Sequence, residues 1–256
     1  MQLLSPSQVK AKEVEILDYI VHLCQEHGLR YYLSYGSLLG AVRHKGFIPW
    51  DDDIDISMPR ADYEQLLKVM LATPHSRFVT LTPRAKGYPY HYAKVVDLST
   101  RLMEEELDDF AGNGLWVDIF PLDGVNAQEP TLQKKMAQYF NSCRASASFK
   151  QCPPGNKPWK WRVVKMIGTK AFARLVTLCS RRKAFDGAQY VAHMPTALRY
   201  LFPRRLFDEV VKVEFEGRLY DAPAAYDEYL TILYGDYMQI PPEDQRITHC
   251  VKAVEV

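Results

Sequence analysis

Apolar residues recur at helical spacing near the start of the chain, where Val9, Ile16, Leu17, Ile20, Val21 and Cys24 share one face. Ser5 as N-cap, Pro6 at the first helical position and Gln8 as capping-box partner start this helix, and Gly28 stops it. It predicts a core-covering element with no chemistry of its own. The period then shortens. Tyr31-Tyr32-Leu33 reads as a strand, Ser34-Tyr35-Gly36-Ser37 as a tight turn, and 38–43 as a short helix. Over 53–58 the alternation is strict: Asp53 and Asp55 point one way, Ile54, Ile56 and Met58 the other. A helix follows from Pro59 to about residue 72, carrying Tyr63, Leu66, Leu67, Val69 and Met70 inward, and then a strand at 78–81. Strands are also expected at 90–96, with Tyr90, Tyr92, Lys94 and Val96 on one face, and at 101–107. A further one at 114–124 gives Trp116, Asp118 and Phe120 one parity. Asp123, just after Pro121, reads as a turn residue.

Beyond this point the pattern is mostly helical. A polar helix spans 131–147, the QCPPGNKP loop of 151–158 breaks the chain, and 159–182 reads as one basic, amphipathic helix. A strand pair turning near Glu216-Gly217 and a short helix ending at Gly235 complete the chain. The expected fold class is α+β, a mixed β-sheet flanked by helices with a mostly helical elaboration in the C-terminal half. A core over 1–125, an elaboration over 126–205 and a closing segment over 206–256 form the expected organisation.

Composition narrows the partners. A net charge of +1 gives no global attraction to nucleic acid. Five cysteines without a C-x-x-C pair argue against a disulfide framework and a thiolate zinc site, and fit a reducing cytosol. With no signal-peptide pattern and no 18-residue apolar run, a cytoplasmic protein is expected. Locally, 159–183 carries eight Lys and Arg. It is either a packed helix with a solvated basic face or a peripheral contact with the inner face of the plasma membrane, Trp159 and Trp161 at headgroup level.

The chemistry gathers around the aspartates. Asp53 and Asp55, side by side on one face, repel unless a cation lies between them, and Mg²⁺ or Mn²⁺ suits carboxylate oxygen and phosphate together. Asp51 and Asp52 read as a solvated acidic turn. Asp118, inside an apolar strand, must be paired or metal-bound, which makes it the natural third carboxylate. Gly36 and Ser37 at a helix start offer a phosphate seat. Lys94 either faces solvent or contacts a phosphate. Arg246 is a phosphate candidate and His249 an acid–base candidate, while Tyr234 and Tyr237 could wall a quaternary ammonium group.

The stretch YGSLLGAVRHKGFIPWDDDIDI, with YHYAKVVDLST, GLWVDIFPLDG and FEGRLYDAPAAYDEYLTILYGDYMQIPPEDQR, resembles the LicD family of phosphotransferases, which is related to the fukutin-type proteins and has the nucleotidyltransferase fold. The tail departs from the family pattern, with His249-Cys250 where two histidines are expected. The resemblance implies transfer of a phospho-alcohol, typically phosphocholine from CDP-choline, to a sugar hydroxyl of a bacterial surface glycan such as teichoic acid or lipopolysaccharide, or of its lipid-linked precursor. It implies metal held by Asp53, Asp55 and Asp118, and phosphates cradled by Gly36, Ser37 and Arg43 or Lys94. Choline, ethanolamine, glycerol and ribitol phosphates all remain candidates. Transfer of a nucleotide, or a non-catalytic glycan- or membrane-binding module, are the competing readings.

Overall fold

The protein is described by a computed structural model covering residues 2–85, 88, 90–103, 113–125, 132–149, 152, 155–181, 183–193, 200–246 and 251–256. In chain order the elements are β1 (Gln2–Leu3), α1 (Pro6–Glu26), β2 (Tyr32–Leu33), α2 (Tyr35–His44), β3 (Ile54–Pro59), α3 (Arg60–Ala72), β4 (Phe78–Leu81), β5 (Ala93–Asp97), β6 (Thr100–Leu102) and β7 (Trp116–Val125). Three helices follow: α4 (Leu132–Ser148), α5 (Pro158–Ile167) and α6 (Thr169–Ser180). The chain closes with β8 (Tyr190–Ala192), β9 (Phe202–Pro203), β10 (Val210–Phe215), β11 (Arg218–Pro223), α7 (Tyr226–Tyr234) and β12 (Ala253–Glu255). The architecture is mixed α+β.

The chain divides into two compact units. One holds Met1–Thr80, Lys94–Pro121 and Arg205–Val256, the other Leu81–Ala93 and Leu122–Arg204. The main sheet runs in the order β2-β3-β7-β5-β4. Tyr32 and Leu33 pair antiparallel with Ser57 and Ile56, and Ile54, Ile56 and Met58 of β3 are fully buried. The alternation predicted for this segment therefore holds, with the strand entered just after Asp53. A hairpin of β10 and β11 pairs Val213 with Tyr220, and its turn at Glu216 and Gly217 takes positive φ at both residues. That is the backbone a two-residue hairpin turn requires.

α1 carries the expected capping box: Gln8 N–H donates to Ser5 Oγ, and Ser5 N–H donates to the Gln8 side chain. Its predicted apolar face is buried throughout. Near the opposite edge of the sheet, Arg77 Nε and Nη2 donate to the two Asp97 oxygens at 2.9 and 2.6 Å, and Ser99 adds its N–H and hydroxyl. This network ties the approach to β4 to the end of β5.

Three expectations need correction. The basic segment is not one helix, because Gly168 at φ 83° ends α5 and α6 restarts after it. Asp123 is no turn residue: it lies within β7, fully buried and paired in register with Ala192 of β8. The strand expected over 101–107 is the shorter β6, and 104–112 lie outside the described residues.

Candidate functional site

The site is assembled where β2 hands over to α2 and where the loop after α2 returns to β3. Tyr35, at φ 47°, bends the chain out of the strand, so α2 begins one residue before Gly36. The expected turn at 34–37 is thus already helix, with Gly36 and Ser37 in its first turn. Gly36 earns its place through a close approach, since a β-carbon there would sit 2.7 Å from Asp51 Oδ2. Ser37 is buried, and its hydroxyl accepts the Asp55 N–H at 2.7 Å, locking α2 onto β3. Ser34 N–H donates to the Asp55 carbonyl at 3.0 Å, so the N–H and the carbonyl of Asp55 are both held.

The loop between α2 and β3 is braced. Lys45 adopts left-handed φ, and a β-carbon on Gly40 would overlap the Gly46 carbonyl oxygen. Glu216, at the tip of the β10–β11 hairpin, donates its N–H to the Lys45 carbonyl at 2.9 Å and accepts the Phe47 N–H at 3.1 Å. The loop thereby delivers Asp51, Asp52 and Asp53 in fixed order. Asp52 accepts the Val251 N–H at 2.7 Å, while its other oxygen is buried. Together with the Asp51 approach to Gly36, this overturns the reading of these two as a solvated turn.

The electrostatics show which acids act on one another. The Asp55 carboxyl is pushed well above the usual carboxylate range, first by burial, then by Asp53, Asp118 and Asp51, with Lys94 offsetting part. Asp118, 6% exposed on β7, is pushed up to about 6 by burial; Lys94 pulls it down and Asp53 pushes it up. Asp53, Asp55 and Asp118 thus lie within one electrostatic neighbourhood, drawn from the end of the acidic loop, from β3 and from β7. Among the described residues, however, no three carboxylates, histidines or thiols converge tightly enough to enclose a metal as they stand. At Asp118 the positive charge comes from Lys94, whose Nζ lies 3.0 Å from Oδ1 and 4.1 Å from the centre of the Trp116 ring. Lys94 neither faces solvent nor stands clear for a phosphate.

A fourth acid was invisible in the sequence pattern. Glu13 of α1 is fully buried, and among the described residues neither of its carboxyl oxygens has a hydrogen-bond partner. Burial raises it well above its ordinary value, and Asp53, Asp52 and Asp51 raise it further, which puts it behind the acidic loop. α1 was assigned no chemistry because Glu13 looks like any charge on an amphipathic helix. Its place four residues after Val9 and three before Ile16, on the apolar face, was the available signal.

The cations expected to hold phosphate are engaged with protein. Arg43 donates to the Tyr237 carbonyl at 2.8 Å and to His44 at 2.9 Å, tying α2 to the loop after α7. Arg246 donates to the Pro241 carbonyl at 3.1 Å and lies 4.5 Å from the Trp50 ring centre, with Arg43 6.0 Å from the same ring. Trp50, one residue before Asp51, is a member of this cluster that the sequence reading passed over. Tyr237 is buried and donates its hydroxyl to Asp227 at 2.7 Å, whereas Tyr234 is exposed. His249 lies outside the described residues.

Comparison with known proteins bears on this geometry. The family described as "LicD/FKTN/FKRP, nucleotidyltransferase domain" matches residues 28–151, which contain β2 to β7 and Asp51, Asp52, Asp53, Asp55 and Asp118. Lipopolysaccharide cholinephosphotransferase LicD of Haemophilus influenzae is 28% identical over 93% of this chain and 93% of its own length. Ribitol 5-phosphate transferase FKRP of human and of mouse is 48% identical over a segment covering 17% of this chain and 9% of each of those proteins. Residues 28–151 thus resemble the LicD/FKTN/FKRP domain, and the chain is similar along most of its length to a LicD cholinephosphotransferase.

Proposed function

We propose that this chain transfers a phospho-alcohol from a CDP-alcohol to a sugar hydroxyl of a cell-surface glycan or its lipid-linked precursor, with CDP-choline the first donor to test. The observation that carries the reading is the set of aspartates beside the start of α2, in which Asp53, just before β3, raises the proton affinity of both Asp55 on β3 and Asp118 on β7. Similarity to a cholinephosphotransferase along 93% of the chain supports the donor class. We further read the sheet and helix arrangement as nucleotidyltransferase-like.

The donor set fits a hard divalent cation, since several carboxylates crowd one site and Lys94 offsets only part of their charge. Asp53 and Asp55 would hold Mg²⁺ or Mn²⁺, with Asp118 or Asp51 as third ligand, and the ion would supply charge neutralisation for the diphosphate and the departing CMP. The acceptor oxygen forms a bond to the phosphorus bearing the alcohol, the bond from that phosphorus to the CMP phosphate oxygen breaks, and the hydroxyl proton passes to Asp118. A carboxyl held at about 6 suits that task better than an ordinary aspartate. Lys94 keeps Asp118 oriented and limits how far its proton affinity climbs.

The test is a donor screen with CDP-choline, CDP-ethanolamine, CDP-glycerol and CDP-ribitol, with and without Mg²⁺, reading CMP. Asp53→Asn should lower CMP formation by roughly 10³-fold, as loss of a group that stabilises transition-state charge does. Release of pyrophosphate from a nucleoside triphosphate, with no CMP from any CDP-alcohol, would instead support nucleotide transfer, the reading to which the family's domain description points.

A further inference from the structure

We infer that α5, with the exposed basic stripe of α6, is a docking surface for an anionic lipid bilayer. Two observations carry this. The first is charge: residues 130–185 contain thirteen Lys and Arg and no Asp or Glu, in a chain whose totals are 32 and 31. The segment therefore carries a charge of +13, and the rest of the chain, with 19 Lys and Arg against 31 Asp and Glu, is acidic.

The second observation is the helix surface. None of the residues of α5 is buried. Trp159, Val163, Met166 and Ile167 are 63%, 44%, 81% and 48% exposed. They stand at i, i+4, i+7 and i+8, which places them within about 100° of arc on one face. Lys160 and Arg162 flank that face, while Trp161 and Val164, elsewhere on the helix, are half-buried, and α5 packs against α4 and α6. On α6, Lys170 and Arg174 share a stripe with Leu178, which is 66% exposed, and Arg181 caps the end of the helix. Large apolar side chains held in water beside a row of cations match the interfacial helix, whose apolar face enters the headgroup–acyl boundary while its cations meet anionic lipid. A nucleic acid would be met by the same cations but gives no reason for Met166 and Ile167 to be exposed. No helix among the described residues is long and apolar enough to cross a membrane, so the contact is peripheral.

The experiment is flotation of the full chain with vesicles of phosphatidylcholine alone and of phosphatidylcholine mixed with phosphatidylglycerol, at low and high salt. The protein should float with the anionic vesicles only, and less at high salt. Lys160→Glu with Arg162→Glu should weaken binding by roughly 25-fold, about fivefold for each cation removed from near the surface. Trp159→Ala with Met166→Glu should weaken it by roughly tenfold. Lys68→Glu, a single charge reversal on an exposed position of α3, should leave flotation unchanged. All these positions are exposed, so melting temperatures should not move, and any variant that melts early is replaced by Ile167→Glu. The proposal is overturned if no vesicle binds, if Lys68→Glu weakens binding as much as the α5 pair, if duplex DNA is bound in place of anionic vesicles, or if the chain dimerises through Met166 and binds no lipid. CMP formation from soluble donors is measured on the same variants, so vesicle binding and the transferase reading can fail separately.

Discussion

At the scale of single residues, the pairing of Lys94 with Asp118 decides how much negative charge the site tolerates. Both side chains are largely buried, so removing the ammonium leaves an uncompensated carboxylate rather than a solvated one. Lys94→Ala should destabilise the protein by about 3–5 kcal/mol at pH ~8, where Asp118 is ionised, and by clearly less at pH ~5, where it takes up a proton. Urea unfolding at the two pH values measures the difference. Glu13 gives the converse case. Its proton affinity is raised in the folded state, so the native protein keeps a proton that the unfolded chain releases near pH ~4.3. The associated stability is fully present below that pH and is lost as the pH rises through the folded value. Glu13→Gln keeps the shape without the charge, and should raise the melting temperature at pH ~8 with no difference near pH ~4. At this scale Asp53, Asp55 and Asp118 were legible because carboxylates in apolar strands are costly without a partner. Glu13, Asp51 and Asp52 were not, because what fixes their roles comes from distant chain: α1 seen from behind, the missing β-carbon of Gly36 and the N–H of Val251.

Elements carry their own constraints, and the loop between α2 and β3 is the most demanding. Gly40 permits the Gly46 carbonyl to pass against α2, and Glu216 then holds Lys45 and Phe47 from the hairpin side. Gly40→Ala forces a methyl against backbone that cannot yield, which should cost about 1–3 kcal/mol and displace the acidic loop. Thermal unfolding together with CMP formation would detect both effects. Sequence signals served well where an element ends by local chemistry: the Ser5 capping box, the 78–81 strand, the turn at 216–217 and the stop at Gly235 all appear where expected. They failed where tertiary pairing overrides local preference. Asp123 sits beside a proline and reads as a turn, yet β8 pairs with it and keeps it in the strand. The break at Gly168 failed for another reason, since apolar periodicity runs on across a glycine that a helix could have absorbed at about 1 kcal/mol.

For the whole molecule, the excess of acid at one site and of base in one segment gives two independent handles on behaviour, and the first makes metal dependence measurable without a donor. Burial and mutual repulsion hold the Asp55 carboxyl in its protonated form more than water would. A divalent ion that binds only the folded chain stabilises it by mass action, about 2.7 kcal/mol at a hundredfold excess over its dissociation constant. It must also displace the protons that these carboxyls retain. Mg²⁺ or Mn²⁺ should therefore raise the melting temperature, by more at pH ~8 than at pH ~5, and EDTA should reverse the rise. Asp53→Asn and Asp55→Asn should abolish the shift, while Asp51→Asn and Asp118→Asn should separate, since the true third ligand loses it and the other keeps it. A shift of equal size in all four variants would mean that the ion stabilises the chain somewhere other than among these aspartates, and the chemistry proposed for Asp118 would then have to run without it.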